Sequence, residues 1–159
     1  LWDPVGNLFR GLHSLNLDGK GRLAIPARYR ETLETDHQGQ IVVTIAVDNR
    51  CLWLYPWSRW QALERQLLSL PTVNRHSRRL QRLLIGHAQE CQLDAQGRIL
   101  LNAPLRRYAN LNKNVVLVGL GSKLEIWEEK AWEVRRNVWL EEESLEDLND
   151  SIDLNTLPL

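Results

Sequence analysis

Apolar and polar positions along this chain group into short strand-like runs separated by turn-forming residues, with one stretch of helical periodicity in the middle. Ser14 to Leu17 reads as a strand entering a turn rich in Asp and Gly, and Leu23 to Ile25 as the strand leaving it. Pro26 stands where the first turn of a helix tolerates proline, so a short helix is expected over Ala27 to Leu33. Residues 41–47 and 52–55 are dense in Val, Ile, Leu and Trp and are expected to pair as strands. Ser58 can cap a helix whose Trp60, Leu63, Leu67 and Leu70 share one face, and Pro71 stops it. A second helix is expected from about Asn74 to Ile85, ending at Gly86. Its Arg75, Arg78, Arg79 and Arg82 lie opposite Leu80, Leu83 and Leu84, a basic face for which a solvated surface is preferred over a DNA contact.

The series then repeats. Leu17-Asp18-Gly19-Lys20-Gly21-Arg22-Leu23 returns 76 residues later as Leu93-Asp94-Ala95-Gln96-Gly97-Arg98-Ile99. Gln89 to Leu93 enters the second turn, Ile99 to Leu101 leaves it, and Pro104 introduces a second short helix over Leu105 to Ala109. Arg30 matches Arg106, and Val42-Val43 resembles Val115-Val116 within the later strands, 115–118 and 123–127. Leu52-Trp53-Leu54-Tyr55 resembles Leu124-Glu125-Ile126-Trp127 at a shift of 72, which Trp60 and Trp132 share. Both tryptophans follow the last strand of a copy, where a core anchor is expected. One long repeat in matching order indicates a duplicated module, because a solenoid needs several shorter copies. The expected organisation is α+β, with modules over 12–58 and 88–131, a helical pair over 59–87 between them, and an acidic helix or tail over 132–159. In that tail Glu141-Glu142-Glu143 precede Leu145, Leu148 and Ile152 at helical spacing, and a solubilising role is preferred over shielding the basic surface or docking on a neighbouring subunit.

Length and composition narrow the function. A chain of 159 residues suits one compact domain or two very small ones. No stretch approaches the roughly 18 to 20 consecutive apolar residues of a membrane span, and the start lacks a basic segment followed by an apolar block, so a soluble, cytoplasmic protein is expected. Cys51 and Cys91 are the only cysteines and lack a metal-ligand spacing; His13, His37, His76 and His87 are scattered. No disulfide framework, metal, cofactor or small-molecule ligand is therefore expected. The formal net charge of zero conceals an asymmetry: residues 1–124 hold 17 Lys/Arg against 9 Asp/Glu, and residues 125–159 hold 3 against 11. A basic body of +8 is joined to an acidic tail of −8, and the body suits a polyanion.

The repeated turn is the candidate site. An Asp and an Arg four residues apart across a glycine-bearing turn can face one another, so the carboxylate aims the guanidinium while capping backbone N–H groups. Gly21 and Gly97 lack a Cβ at the expected point of closest approach to a phosphate or base edge. Arg22 and Arg98 offer the planar fork that fits a guanine edge or a pair of phosphate oxygens. Lys20 and Gln96, at matching turn positions, can add a phosphate contact and a base contact. A single Asp-x-x-x-Arg hairpin usually just stabilises its turn; a duplicated arginine is not needed for that.

Asp18-Gly-Lys-Gly-Arg-Leu-Ala-Ile-Pro-Ala-Arg-Tyr-Arg30 resembles the swapped-hairpin AbrB-type DNA-binding module. With Phe9-Arg10-Gly11, Cys51-Leu-Trp-Leu-Tyr-Pro56, Gln81-Arg-Leu-Leu-Ile-Gly-His-Ala88 and Asp94-Ala-Gln-Gly-Arg98, the pattern from Phe9 to Trp132 resembles the bacterial MraZ family. The resemblance implies hairpins interleaved into one pseudo-twofold, double-swapped-hairpin β-barrel per chain, and chains assembled into rings. It implies a nucleoid-associated transcriptional regulator, usually a repressor, at direct repeats upstream of the division and cell-wall gene cluster that includes its own gene. The family's Asp-x-x-x-Arg signature for contacting double-stranded DNA falls on Asp18 with Arg22 and on Asp94 with Arg98. The chain departs from the pattern at Asn102, which replaces the counterpart of Pro26; at residues 1–8, which precede the Phe-Arg-Gly opening; and at the bulky Trp53 and Trp57.

Two other readings compete. A ring-forming interaction protein with only unspecific DNA attraction would use the acidic tail and the tryptophans, a residue common at interfaces. An enzyme would need more than Asp18 and Asp94, since no nucleophile-base arrangement, phosphate-binding glycine loop or metal cluster accompanies them, and none is expected.

Overall fold

The hairpin signals at the two turns extend into strands that run well beyond the turns. In the computed structural model, which describes residues 8–142, β1 (Phe9–Asn16) and β2 (Arg22–Ala24) flank the first turn. They are followed by α1 (Ala27–His37), β3 (Gln40–Ile45) and β4 (Leu52–Pro56). Next come α2 (Trp57–Leu68) and α3 (Arg75–Leu80), which continues as a π-helical turn over Gln81–Ile85. The second copy repeats the series as β5 (Gln89–Gln92), β6 (Arg98–Leu100), α4 (Ala103–Tyr108), β7 (Asn114–Gly121) and β8 (Leu124–Glu128). α5 (Glu129–Glu142) belongs to a separate compact unit that begins at Glu129.

The two copies are interleaved strand by strand. β1 pairs with β7, β3 with β5 and β4 with β8, all antiparallel, in a six-stranded sheet of order β1-β7-β8-β4-β3-β5. Matching β1 with β5, β7 with β3 and β8 with β4 leaves this order unchanged when read from the opposite edge, so the sequence repeat becomes a twofold arrangement of strands. β2 and β6 form a separate two-stranded ribbon. The six-stranded sheet is open, with β1 and β5 as unpaired edges, and is not itself the closed barrel that the resemblance implies. β2 and β6, three residues each, ladder to one another, and β2 meets the β1 side only through the Leu17–Leu23 bridge just beyond the end of β1.

Strand alternation decides what is buried. Ile41, Val43 and Ile45, Leu52 and Leu54, Val115 and Leu117, and Leu124 and Ile126 enter one core together with Tyr29, Leu33 and Leu105 from the helices. Leu23 and Ile99 join them from the ribbon and are 0% and 1% exposed. Each such side chain contributes about 1.5–3 kcal/mol, which anchors the ribbon to the body of the protein. A smaller cluster of Val42, Tyr55 and Trp60 includes the partly buried Trp53, Trp57, Leu63, Ile85 and Ala88. The Thr44 hydroxyl donates to the Leu84 carbonyl at 2.6 Å and ties the π turn to β3. The bulky Trp53 donates its indole N–H to Glu125, its repeat counterpart, at 2.9 Å, and Trp127 donates to the other Glu125 oxygen at 2.9 Å. Two indoles thus satisfy a buried carboxylate.

Several boundaries differ from those expected. β1 begins at Phe9 instead of Ser14, because the strand stays in register with β7 from Phe9 opposite Gly121 to Asn16 opposite Asn114, and the Phe9 ring packs on Tyr29 at 5.3 Å. α1 runs past Leu33 to His37 and ends only where Gln38 turns left-handed. Ser58 does not cap α2: Pro56 occupies the cap position, and the Ser58 hydroxyl meets His37 Nδ1 at 3.3 Å instead. Asn74 does cap α3, accepting from the His76 N–H at 2.8 Å. Asn102 caps α4 in the same way, accepting from the Leu105 N–H at 3.0 Å, which explains why this copy begins its helix without the counterpart of Pro26. Trp132 is not the core anchor that its match with buried Trp60 implies; it is half-buried, and its ring meets Trp139 of the same helix at 6.2 Å. Leu145, Leu148 and Ile152 lie outside the described residues. No helix among the described residues is long and apolar enough to cross a membrane.

Candidate nucleic-acid interface

Each turn is closed by its own aspartate. Asp18 Oδ1 accepts the backbone N–H groups of Lys20 and Arg22, both at 2.9 Å, while Oδ2 accepts Arg22 Nε at 2.7 Å. Asp94 repeats the arrangement: Oδ1 accepts the N–H groups of Gln96 at 2.9 Å and Arg98 at 2.8 Å, and Oδ2 accepts Arg98 Nε at 3.0 Å. Backbone bonds complete both turns, from Gly21 to the Asp18 carbonyl at 3.0 Å and from Gly97 to the Asp94 carbonyl at 2.9 Å. The backbone N–H of Arg22, and then its side chain, hold the Asp18 carboxyl down at about 2. The backbone N–H of Arg98 lowers Asp94 in the same direction. Both carboxylates are therefore ionised at neutral pH and aim their arginines through Nε, leaving the outer guanidinium edge of Arg22 without a partner among the described residues.

The ribbon register brings the two arginines together. Arg22 lies opposite Leu100 and Ala24 opposite Arg98, so Arg22, Ala24, Arg98 and Leu100 project from one face, while Leu23 and Ile99 project from the other into the core. That outer face is open: the Arg22 and Arg98 side chains are 33% and 30% exposed, and Leu100 is 54% exposed. Lys20 and Gln96 are exposed at the turn tips. All eight residues singled out from the sequence therefore lie on the two turns at opposite ends of one ribbon or at the strand positions that leave them.

The two glycines also shape the inside of the protein. Gly21 has φ +85° and Gly97 φ +74°, but the space beside each is filled from within the protein. A Cβ on Gly21 would lie 2.9 Å from Arg106 Nε and 3.1 Å from the Leu101 carbonyl, and one on Gly97 would overlap the Arg30 side chain. Each glycine makes room for an arginine from the opposite copy. Arg30 Nη1 donates to the Gln96 carbonyl at 3.1 Å, and Arg106 Nε to the Leu101 carbonyl at 3.1 Å. Backbone bonds also cross between copies, from Ile25 to the Gly97 carbonyl at 3.0 Å and from Leu101 to the Gly21 carbonyl at 2.9 Å. The match of Arg30 with Arg106 in the repeat was the available signal for this buttress.

Elsewhere, chemistry is sparse. Arg75, Arg78, Arg79 and Arg82 are exposed, and Arg78 donates to the Thr72 carbonyl at 2.8 Å. Cys51 and Cys91 are buried free thiols; burial pushes both up, Cys91 to about 12, so neither is a ready nucleophile. Among the described residues no group of three or more His, Cys, Asp or Glu is placed to hold a metal ion.

Comparison with known proteins accounts for the duplicated turn. The family described as MraZ protein, antitoxin-like, matches the chain twice, over residues 8–83 and 84–153. The chain belongs to the MraZ family. It is 54% identical over 143 residues to a protein of Methylococcus capsulatus called "Transcriptional regulator MraZ", covering 90% of this chain and 93% of the relative. Proteins of the same name from Halorhodospira halophila and Alkalilimnicola ehrlichii are 49% and 50% identical, covering 96% and 94% of this chain and all of each relative. These MraZ-family relatives are named as regulators of transcription, a class without enzymatic activity.

Proposed function

We propose that this chain is a transcriptional regulator that binds double-stranded DNA sequence-specifically through the outer face of the β2–β6 ribbon. The observation that carries the reading is the placement of Arg22 and Arg98 on one exposed face, each aimed by its own aspartate. A guanidinium fork held in this way suits the guanine O6 and N7 pair, a contact that discriminates between bases by about 1–3 kcal/mol. Lys20 and the edges of the turns contact phosphates, and Gln96 contacts a base. Asp18, Asp94, Gly21 and Gly97 hold the turns in shape.

The interleaving of strands supports treating β1–β2 and β5–β6 as the swapped hairpins of two AbrB-type modules, 12–58 and 88–131, joined by the helical pair 59–87 and followed by the acidic segment 132–159. One chain offers two arginines, too few for tight binding alone, so a ring of chains gains affinity by engaging successive direct repeats at once. The sites are those upstream of the division and cell-wall gene cluster, including the regulator's own gene, and occupancy represses transcription. The protein acts in the cytoplasm on the nucleoid and needs no cofactor, metal or small ligand.

The test is titration of a promoter duplex carrying the repeats, and of a scrambled duplex, with the native protein and with the Arg22→Ala, Arg98→Ala double variant. Specific binding that disappears in the folded double variant is expected. Equal affinity of the native protein for both duplexes would favour the ring-forming interaction protein with unspecific DNA attraction. Unchanged binding by the double variant would remove the ribbon from the mechanism.

A further inference from the structure

The two turns are not equivalent in their surroundings. Beside the first turn lies a groove of about 500 Å³ whose lining includes Asn16, Leu17, Asp18, Arg106, Asn112 and Lys113. Its negative group is already engaged, because the Asp18 carboxylate is bound by Arg22 and by two backbone N–H groups. Its cations are not. Lys113 is exposed, with no side-chain partner among the described residues, and only Nε of the Arg106 guanidinium is used, on the Leu101 carbonyl. The exposed Asn16 and Asn112 amides add donors beside them. Backbone geometry fixes the position of Lys113: the Leu17 N–H donates to its carbonyl at 2.8 Å, so the lysine stands just before β7, opposite the residue that precedes Asp18.

The matching place beside the second turn is closed. Asn16 corresponds to Gln92, and Lys113 to Gly39 by its position just before the long strand. Gln92 reaches across to donate to the Gln38 carbonyl at 2.8 Å, and its amide nitrogen lies 2.7 Å from where a Gly39 Cβ would stand. Arg30, the counterpart of Arg106, is turned onto the Gln96 carbonyl. The second turn thus has neither the lysine nor the space.

We propose that the groove beside the first turn is a phosphate subsite that takes a backbone phosphodiester of the duplex, with Lys113 and Arg106 as its cations and the Asn16 and Asn112 amides as donors. This rests on the DNA-binding reading above and makes the binding unit polar: the first turn anchors the backbone, and the second contributes contact without that anchor. Each neutralised phosphate contributes about 0.9 to the slope of log affinity against log salt.

The experiment compares the native protein with Lys113→Gln, with the Arg22→Ala, Arg98→Ala double variant, and with Arg65→Gln, which removes an exposed cation from α2, outside this groove. Lys113→Gln is expected to weaken promoter duplex binding several-fold and to lower the salt slope by about one, while the preference for promoter over scrambled duplex persists. Arg65→Gln is expected to leave the slope unchanged. An unchanged slope in Lys113→Gln, with binding lost in the double variant, overturns the subsite and leaves the DNA-binding reading intact; normal binding by the double variant overturns that reading itself. An equal drop for Arg65→Gln assigns the effect to bulk charge and also overturns the subsite. Inorganic phosphate is titrated in parallel by amide NMR. Saturating shifts at Asn112 and Lys113 with phosphate alone, together with an unchanged duplex slope in Lys113→Gln, would assign the groove to free phosphate.

Discussion

The turns at Asp18 and Asp94 share a hydrogen-bond scheme almost atom for atom, yet they present different chemistry to solvent. In both, one carboxylate oxygen gathers two backbone N–H groups and the other holds an arginine Nε. Around the first turn, the Lys20 side chain and the outer edge of Arg22 are unengaged among the described residues, and the basic groove is open. Around the second, Arg98 Nη2 is held by Gln96 Oε1 at 3.3 Å, and Arg30 is tied to the Gln96 carbonyl. The lesson is a division of labour within one motif. Asp, Gly and Arg at fixed spacing set the shape of the turn, and the intervening and flanking residues set how much positive charge is free to act. Duplication preserved the shape and allowed the charge to diverge.

The largest expected effect tests that divergence. Arg22→Ala alone should weaken promoter binding on the order of tenfold or more, and Arg98→Ala alone by less, because Arg98 is already engaged on its own turn. Duplex titration of the two single variants checks this, and equal losses would show that the two arginines are interchangeable. Next come the glycines. Gly21→Ala and Gly97→Ala each force a side chain into positive φ and against an arginine of the other copy, so each should destabilise the fold by about 1–3 kcal/mol in urea unfolding. Gly19→Ala should stay within about 0.5 kcal/mol, since nothing lies within 4 Å of its Cβ position and the second copy already carries Ala95 there. A Gly97→Ala variant as stable as the native protein would show that the arginine buttress contributes nothing.

The smallest effect is on titration. Asp18 sits at about 2, below the ordinary 3.8, chiefly through the Arg22 backbone N–H and then the Arg22 side chain. A lowered folded value means that the turn's contribution is complete above about pH 4 and is lost as the pH falls through about 2. Asp94 shifts in the same direction, with its arginine contact at 3.0 Å against 2.7 Å for Asp18, so Asp18 should be the last of the two to protonate on acidification. Carboxyl NMR measures both midpoints, and an ordinary midpoint for Asp18 would remove the carboxylate clamp from the account of the first turn.

Much of the site was legible in the chain because it is local. The Asp-x-x-Gly-Arg spacing specifies the turn and the aspartate-arginine pair within five residues, and the repeat announces that there are two of them. Asn102 in place of proline stood out as a departure between the copies, which the structure resolves as a side-chain cap. Ser58 misled for the opposite reason: Pro56 already begins the helix, so a good capping residue two positions later had no cap to form. The extra length of β1 was hidden because its early residues, Arg10 and Gly11 among them, do not look like strand formers and are held by the register with β7.

The sequence by itself determined the duplicated turns, the alternation that buries Leu23 and Ile99, and the arginines at their ends, because each follows from neighbours a few residues apart. Only the tertiary structure decided that β2 meets β6, that Arg22 and Arg98 therefore share a face, and that Gly21 and Gly97 make room for Arg106 and Arg30. It also decided that Lys113 flanks one turn while Gly39 and Gln92 close off the other. Those facts depend on which distant segments pair. Strand pairing is chosen by the burial of a whole face at once, so no local pattern along the chain contains it.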